Sequence, residues 1–368
     1  MNTIRKIINS KLLIYIPLFI IMIISFLNMQ NAKLLSSLYK YNLIKQVIWY
    51  SMGFLLLFLG TKTNMKILLK YAWGCYLLSL GLLLLVLFVG KDINGARAWF
   101  SLGAISFQPS EVMKISLTLL LSSILSKKKL TTIKDEFKFI ILVLFLTLLP
   151  SLLVFLEPDT GAIIYYLIID LAIFLCAHIH KFWFIILFLV AFLGLGLFIG
   201  LYILNQDLLI NLIGTSFFYR VERLITFKTL SSYQLDNALI AMGSTPLWGS
   251  GLNHISIYIP EAPTDFIFAF TISNFGIITG FIVLLCYLIM DIYLLNKYFK
   301  LPVSSLKYIT LCFLSIFLFG QIINISMNLG LLPIIGIPLP FLSYGGSTLI
   351  IYFIFLSFIL KEKSHKMT

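Results

Sequence analysis

The stretch FWFIILFLVAFLGLGLFIGLYIL, residues 182–204, contains no charged residue. A helix of about 20 such residues crosses the hydrocarbon layer of a bilayer. Lipid offers no hydrogen-bond partner to an open backbone, so a segment of this length and composition must close its hydrogen bonds internally. The stretch therefore predicts a membrane-spanning helix.

Runs of the same kind recur along the whole chain, which is 60% hydrophobic and only 11% charged, with a mean hydropathy of +1.04. They lie at about 12–29, 43–60, 67–90, 109–126, 137–156, 160–177, 182–204, 266–290, 308–329 and 341–360. The runs are too long and too uniformly apolar for barrel strands. The sequence predicts an all-α polytopic membrane protein with about ten transmembrane helices, forming one domain over residues 1–368.

The positions of the basic residues predict the orientation of these helices. The chain has 27 Lys and Arg against 14 Asp and Glu, a formal charge of +13. If ten spans alternate, most of the basic residues fall on one side, which the positive-inside rule makes cytoplasmic, together with both termini. Because the excess follows the membrane topology, no nucleic-acid partner is predicted. The residues on that side are Arg5, Lys6, Lys11, Lys62, Lys66, Lys70, Lys127, Lys128, Lys129, Lys134, Lys138, Lys181, Lys297, Lys300, Lys307, Lys361, Lys363 and Lys366.

The longer segments between the spans then lie on the outer side, at about 90–108, 205–265 and 330–340. The segment 205–265 is the largest, and the segment 330–340 is too rich in Pro and Gly to form a regular helix. The chain has no ATP-binding loop and no arginine ladder, which argues against an ATP-driven pump and a voltage-gated channel.

The first outward segment ends in a predicted helix start. Asn94-Gly95 is a turn signal, and Trp99 suits the lipid–water interface. Pro109 suits the first helical position, and Glu111 falls in the first turn. Lys114 follows three residues later, so the two side chains share a helix face and can pair. A capped helix with an interfacial ion pair explains this cluster as well as a functional site does.

Two further carboxylates stand at helix starts. Asp159, in the tight turn 157–161, is a predicted N-cap of the helix that follows. Asp265 stands where a polar loop enters an apolar helix, so partial desolvation would raise its pKa and suit it to accept a proton. A second N-cap explains Asp265 equally well on local evidence.

The last cluster joins two asparagines to irregular backbone. Asn324 and Asn328 are four residues apart and share one helix face, directly before the run 330–347. Irregular backbone near the membrane is tolerated only when it is buried in protein or lines a cavity. Glycines between 233 and 252 permit close backbone approach in the preceding outward segment.

These motifs occur together in one known family. NGARAW (94–99), QPSE (108–111), EPDTG (157–161), PEAPTDFIFA (260–269) and GLLPIIGIPLPFLSYGGS (330–347) stand in the order and at the spacings of the SEDS proteins. The chain resembles this RodA/FtsW/SpoVE family over essentially its whole length.

The resemblance implies an inverting peptidoglycan glycosyltransferase of the bacterial cytoplasmic membrane. Its substrate would be lipid II, a disaccharide-peptide on an undecaprenyl pyrophosphate carrier, polymerised at the outer face for elongation, division or sporulation. The implied partners are a class B penicillin-binding protein and membrane lipid. No dedicated metal-ligand motif is visible, and a divalent cation, Mg²⁺ or Mn²⁺, held by Asp265 or by the pyrophosphate stays open.

The resemblance also implies site residues. The family's essential aspartate falls on Asp265, which would be the catalytic base. Arg97, Arg220, Arg223, Lys91 and Lys114 would meet the phosphates. The full set of expected substrate contacts is Arg97, Trp99, Glu111, Lys114, Asp159, Arg220, Arg223, Gln234, Glu261, Thr264, Asn324, Ser343 and Tyr344.

Two departures from the family pattern keep other functions open. Ala98 stands where many members have Arg, with Arg97 one residue earlier. Ser273, Asn274, Phe275 and Gly276 replace a family EELG motif, so two carboxylates are missing. A lipid II flippase or transporter, or a catalytically weak scaffold for a penicillin-binding protein, is the alternative to a polymerase.

Overall fold

The computed structural model describes residues 10–93, 96–102, 105–215, 218, 222, 233–255 and 257–361. The predicted turn at Asn94-Gly95 and the expected phosphate contacts Arg220 and Arg223 lie outside these residues.

Helices dominate the described chain, with three short strands between the fourth and fifth helices. They are α1 Leu12–Ala32, α2 Asn42–Lys62, α3 Met65–Lys70, α4 Ala72–Val89, β1 Lys91–Ile93, β2 Ala96–Leu102, β3 Ile105–Phe107, α5 Pro109–Lys127, α6 Ile133–Leu156, α7 Thr160–Ala177, α8 Lys181–Leu204, α9 Gln206–Ile213, α10 Tyr233–Gly243, α11 Ile267–Lys300, α12 Ser305–Asn328 and α13 Gly346–Ile359.

Eight segments of the described chain are long and apolar enough to cross a bilayer, which confirms the prediction of an all-α polytopic membrane protein. They are Leu12–Ala32, Ser37–Lys62, Ala72–Val89, Ile133–Leu156, Thr160–Ala177, Lys181–Leu204, Ile267–Lys300 and Ser305–Asn328. The count of ten crossings and the cytoplasmic termini stay predictions.

The other two predicted spans correspond to α5 and α13. Helix α5 is almost wholly buried and carries the buried side chains of Glu111 and Lys114. Helix α13 has 14 residues and begins at Gly346. The predicted span 341–360 therefore begins too early, because the irregular segment extends to residue 345.

Two of the predicted cytoplasmic segments lie side by side. The Lys361 ammonium, after α13, contacts the carbonyl of Thr63, after α2. This contact joins segments that are almost 300 residues apart in the sequence.

The outward segment 90–108 forms a small antiparallel sheet in the order β1-β2-β3. Lys91 pairs with Trp99, and Phe100 pairs with Phe107. Pro109 at the start of α5 follows the sheet directly, so the sheet fixes how the chain enters that helix.

Helix α11 is broken at Gly276, whose backbone angles (φ 80°, ψ 169°) are not helical. The 34 residues of α11 would span about 51 Å if straight, well beyond the hydrocarbon layer. Residues 267–274 are all buried in protein, whereas the side chains after the break alternate between buried and exposed. We therefore assign the membrane crossing of α11 to residues 277–300, later than the predicted 266–290.

The Pro- and Gly-rich segment 329–345 has no helix or strand, as predicted. Its carbonyl groups accept hydrogen bonds from buried side chains of neighbouring helices. The donors are Asn324 to Ile337 (2.8 Å), Tyr287 to Pro340 (2.6 Å), Tyr50 to Phe341 (2.6 Å), Ser25 to Leu342 (2.8 Å) and Gln46 to Ser343 (3.2 Å). These bonds satisfy polar backbone that would otherwise be costly to bury.

Helix α8 differs from the other spans because it contains no buried residue. Its start is attached to α6 through the buried carboxylate of Glu136. That carboxylate accepts bonds from the His180 amide (3.1 Å) and the Trp183 indole (3.0 Å), and its other oxygen lies 2.8 Å from the His180 Nδ1. The indole also stacks on Phe137 at 5.7 Å. Glu136 therefore attaches the start of α8 to α6 through polar contacts.

We expect Glu136→Ala to release the start of α8, because three polar contacts lose their acceptor. Hydrogen bonds to a charged group contribute about 1.5–3 kcal/mol each. Amide hydrogen exchange over residues 178–186 should accelerate, with Glu136→Gln giving an intermediate effect. Unchanged exchange in the Ala variant would show that lipid alone holds the helix.

Candidate functional site

A cavity of about 510 Å³ opens at the end of the bundle opposite the predicted cytoplasmic loops. The small sheet, the start of α7, the loop before α11 and the irregular segment 329–345 surround it. The lining residues are Trp49, Ala96, Ala98, Trp99, Ser106, Gln108, Glu111, Lys114, Pro158, Asp159, Thr160, Gly161, Ala162, Tyr165, Glu261, Thr264, Asp265, Ile335, Gly336, Ile337, Pro338, Tyr344, Gly345, Gly346 and Thr348.

The backbone around Asp265 is held from both sides. The Glu261 carbonyl accepts bonds from the amides of Asp265 (3.1 Å) and Phe266 (3.2 Å). The Asp265 carbonyl accepts one bond from the side-chain amide of Asn324 and one from that of Asn328, each 2.9 Å long. Phe266 is the N-cap residue of α11, and no side chain caps this helix. The alternative of an N-capping Asp265 is therefore wrong.

The carboxylate of Asp265 faces the cavity, and the backbone opposite it is a glycine. A Cβ on Gly336 would lie 3.5 Å from the Oδ2 of Asp265, and Gly336 has a φ of +77° that disfavours any larger residue. Burial, with a smaller contribution from the negative charge of Glu261, raises the pKa of Asp265 to about 7. The group can thus exchange a proton near neutral pH.

Glu111 and Lys114 form the predicted pair, with Nζ and Oε1 2.7 Å apart. The two side chains are only 8% and 3% exposed, so the pair is buried rather than interfacial as expected. The Lys114 ammonium also lies 3.8 Å from the ring centroid of Tyr165. Within the part of the chain that the structure describes, the second carboxylate oxygen of Glu111 has no hydrogen-bond partner. The pair gives one cavity wall a cation whose charge is largely balanced.

Asp159 caps α7, as predicted, by accepting a bond from the amide of Ala162 (3.3 Å). Its other oxygen accepts bonds from the Gln108 side chain (2.7 Å) and the Ser110 hydroxyl (3.2 Å). Asp159 therefore joins the starts of α5 and α7. Both of its carboxylate oxygens accept hydrogen bonds from neighbouring groups, whereas the carboxylate of Asp265 faces the cavity.

Glu157 in the same turn is fully buried, and neither of its carboxylate oxygens has a hydrogen-bond partner among the described residues. Burial, together with the nearby charge of Asp159, raises the pKa of Glu157 to about 8. The sequence predicts no more than a turn position for this residue.

The structure brings most of the expected site residues to the cavity. Asn324 and Ser343 instead lie behind the wall, where the Ser343 hydroxyl donates to the Thr264 carbonyl (2.7 Å). Arg97 on β2 is exposed and Gln234 is half-buried at the start of α10, and neither lines the cavity. Those at the cavity are Asp265, Trp99, Glu111, Lys114, Asp159, Glu261, Thr264 and Tyr344.

Trp49, Tyr165 and Gly336 also line the cavity, although none of them is predicted as a site residue from the sequence. Trp49 and Tyr165 lie within apolar runs and look like core residues until the bundle is assembled. A Cβ on Gly346 would collide with the Trp49 indole, so the glycine at this position lets the ring reach the cavity wall. Two adjacent glycines at a helix start were the available signal.

The positions of the missing glutamates lie away from the cavity. Ser273 and Asn274 are buried, and the Asn274 amide lies 3.4 Å from the side-chain oxygen of Asn28 in α1. Of the described residues that line the cavity, none belongs to 273–276. The substitutions thus alter a neutral joint between α1 and α11 rather than the cavity wall.

Among the described residues, no three His, Cys, Asp or Glu side chains are close enough together to hold a metal ion.

A family model described as a cell cycle protein, FtsW/RodA/SpoVE, matches residues 6–367. A relative from Coxiella burnetii named "Probable peptidoglycan glycosyltransferase FtsW" is 34% identical over 335 residues, covering 86% of this chain and 85% of its own length. One of the same name from Marinomonas mediterranea is 31% identical over 326 residues, covering 83% and 74%.

Solved structures are also similar. One, described as "Structural coordination of polymerization and crosslinking by a peptidoglycan synthase complex", has a TM-score of 0.74 at 25% identity and covers 94% of this chain and 96% of its own. The rod shape determining protein RodA of Thermus thermophilus has a TM-score of 0.64 at 27% identity and covers 94% of both chains. The chain described here belongs to the FtsW/RodA/SpoVE family of multi-pass bacterial membrane proteins.

Proposed function

We propose that this protein is a peptidoglycan glycosyltransferase that polymerises lipid II at the outer face of the cytoplasmic membrane. The observation that carries the proposal is the carboxylate of Asp265, which faces the cavity while side chains of α12 hold its backbone. Similar relatives named peptidoglycan glycosyltransferase support the reaction class.

In the proposed reaction, Asp265 accepts the proton of the acceptor sugar hydroxyl. The freed oxygen attacks the anomeric carbon of the donor sugar from the face opposite its pyrophosphate. The new glycosidic bond forms as the bond to the pyrophosphate breaks, which inverts the anomeric carbon and releases the lipid pyrophosphate. A base with a pKa near 7 is well matched to this transfer at neutral pH.

The leaving pyrophosphate needs positive charge nearby. Lys114 lines the cavity and retains donors beyond its bond to Glu111. We assign it to the phosphates, with Glu111 and Tyr165 fixing its position. Arg220 and Arg223 remain candidates for the same role from sequence alone. A Mg²⁺ or Mn²⁺ ion would have to take part of its ligands from the pyrophosphate itself, and no step is derived through it.

A class B penicillin-binding protein is the proposed partner. The similar solved structure described as a peptidoglycan synthase complex that coordinates polymerisation and crosslinking supports this assignment. Such a partner would crosslink the strands that this chain polymerises.

A lipid II transporter is the alternative that the same cavity would suit. The cavity lies at one end of the bundle, whereas transporter sites are typically near the bilayer midplane. Translocation of lipid II in vesicles without polymer formation would favour that alternative.

We expect Asp265→Asn to lower lipid II polymerisation by about 10²–10⁴-fold, because the amide keeps the shape but accepts no proton. The assay measures glycan strands made by purified protein with its partner. Asn296→Ala, at a half-buried amide far along α11 that bonds only within its own helix among the described residues, is the matched control. Full polymerisation by the Asp265 variant would show that this residue is not the catalytic base.

We expect the polymerisation rate to rise with pH through about 7 and then level off, because only the ionised form of Asp265 accepts a proton. A carboxylate at the ordinary pKa of 3.8 would be ionised throughout the neutral range and give a flat rate. The initial rate at saturating lipid II, measured from acidic to alkaline pH, distinguishes the two. A flat profile would show that ionisation of Asp265 near pH 7 does not control the polymerisation rate.

We expect Lys114→Met to destabilise the fold by about 3–5 kcal/mol, because it leaves the buried carboxylate of Glu111 unpaired. The double variant Glu111→Gln with Lys114→Met should recover thermal stability but not polymerisation. Normal polymerisation by the double variant would show that the Glu111–Lys114 pair stabilises the fold but has no role in the reaction.

A further inference from the structure

The loop formed by residues 246–253 packs backbone to backbone against the break in α11. A methyl group on Gly276 would collide with the Leu247 carbonyl, and one on Gly249 would collide with the Asn274 carbonyl. Residue 251 donates its amide to the Asn274 carbonyl (2.8 Å), and residue 250 donates to the Ser273 carbonyl (3.1 Å). The loop thus pairs with carbonyls at the end of the first half of α11.

A buried asparagine from α1 holds the other side of this docked loop. The Asn31 side chain is fully buried, and its amide donates to the Gly251 carbonyl (2.9 Å). Its oxygen accepts a bond from the Asn253 amide (2.8 Å). One side chain therefore satisfies both a donor and an acceptor of the loop backbone, as a neighbouring strand would.

The held loop nevertheless presents large apolar side chains outward. Trp248 is 75% exposed, Leu247 66% and Leu252 50%. A backbone fixed by at least four hydrogen bonds and two glycine contacts cannot simply turn these groups inward. Apolar groups that a rigid backbone keeps exposed mark an interaction surface.

The place of the docked loop in the fold identifies what covers it. Gly276, against which it packs, directly precedes the part of α11 assigned to the membrane crossing. The next residues on that helix, Ile277 and Phe281, are 46% and 64% exposed and face lipid. The apolar groups of the loop therefore stand at the level where hydrocarbon gives way to headgroups, the depth that Trp prefers.

We propose that the docked loop is a membrane anchor, which inserts Leu247 and Trp248 into the headgroup boundary of the leaflet on the cavity side, and that Asn31 holds it there. The anchor is independent of the proposed chemistry. It would set the depth of the first half of α11, and hence of Asp265, relative to the membrane surface.

Tryptophan fluorescence tests the insertion. The chain has five Trp residues, so the difference between wild type and Trp248→Phe isolates the signal of Trp248. In phosphatidylcholine vesicles, we expect lipids brominated near the headgroup end of their chains to quench that signal more than lipids brominated near the chain ends. The exposed Trp73 at the start of α4, isolated by Trp73→Phe, is the reference.

Quenching of the Trp248 signal by aqueous acrylamide alone would place the loop in water and overturn the proposal. Quenching by neither reagent would place it against protein and overturn it equally. Asn31→Ala should lower the lipid quenching of Trp248 about twofold, because two hydrogen bonds to the loop are lost, whereas Asn296→Ala should not. Unchanged quenching in Asn31→Ala would refute the holding role of Asn31.

Discussion

The fold depends on the hydrogen bonds that pair the carbonyls of one irregular segment buried among the membrane helices. Residues 329–345 form no helix or strand, so no regular ladder pairs their carbonyls. Ser25, Gln46, Tyr50, Tyr287 and Asn324 supply the missing donors from four helices. Since an unpaired polar group is costly in this setting, these bonds fix α1, α2, α11 and α12 relative to the cavity.

The need to pair buried polar groups also distinguishes the carboxylates of the cavity by the partners that they bind. Asp159 accepts three hydrogen bonds and joins two helix starts. Glu111 is paired with Lys114. At Asp265 the asparagines of α12 bind the backbone carbonyl, which leaves the carboxylate facing the cavity. The residue proposed as the base is thus the one whose carboxylate is not committed to holding the structure.

Much of this arrangement could be predicted from the sequence. The apolar runs predict the helices, because lipid tolerates few other structures. Helix-capping preferences predict the cap at Asp159, and the three-residue spacing predicts the Glu111–Lys114 pair. The break in α11 could not be predicted from the sequence, because a single glycine in a predicted span is compatible with a continuous helix, and only the loop packed against Gly276 reveals the kink. Trp49 was missed for a related reason, since its role depends on glycines almost 300 residues away in the sequence.

The side chains that hold the segment 329–345 and the backbone of Asp265 are amides and hydroxyls, and this has a consequence for a protein in an energised membrane. A voltage acts on net charge, with about 2.3 kcal/mol per elementary charge for each 100 mV crossed. The side chains of Asn324, Asn328, Ser25 and Tyr50 carry no charge and no proton that leaves near neutral pH. These neutral side chains should therefore hold the segment 329–345 in the same geometry whether or not the membrane is polarised. A membrane voltage would act mainly on the ionised groups of the cavity.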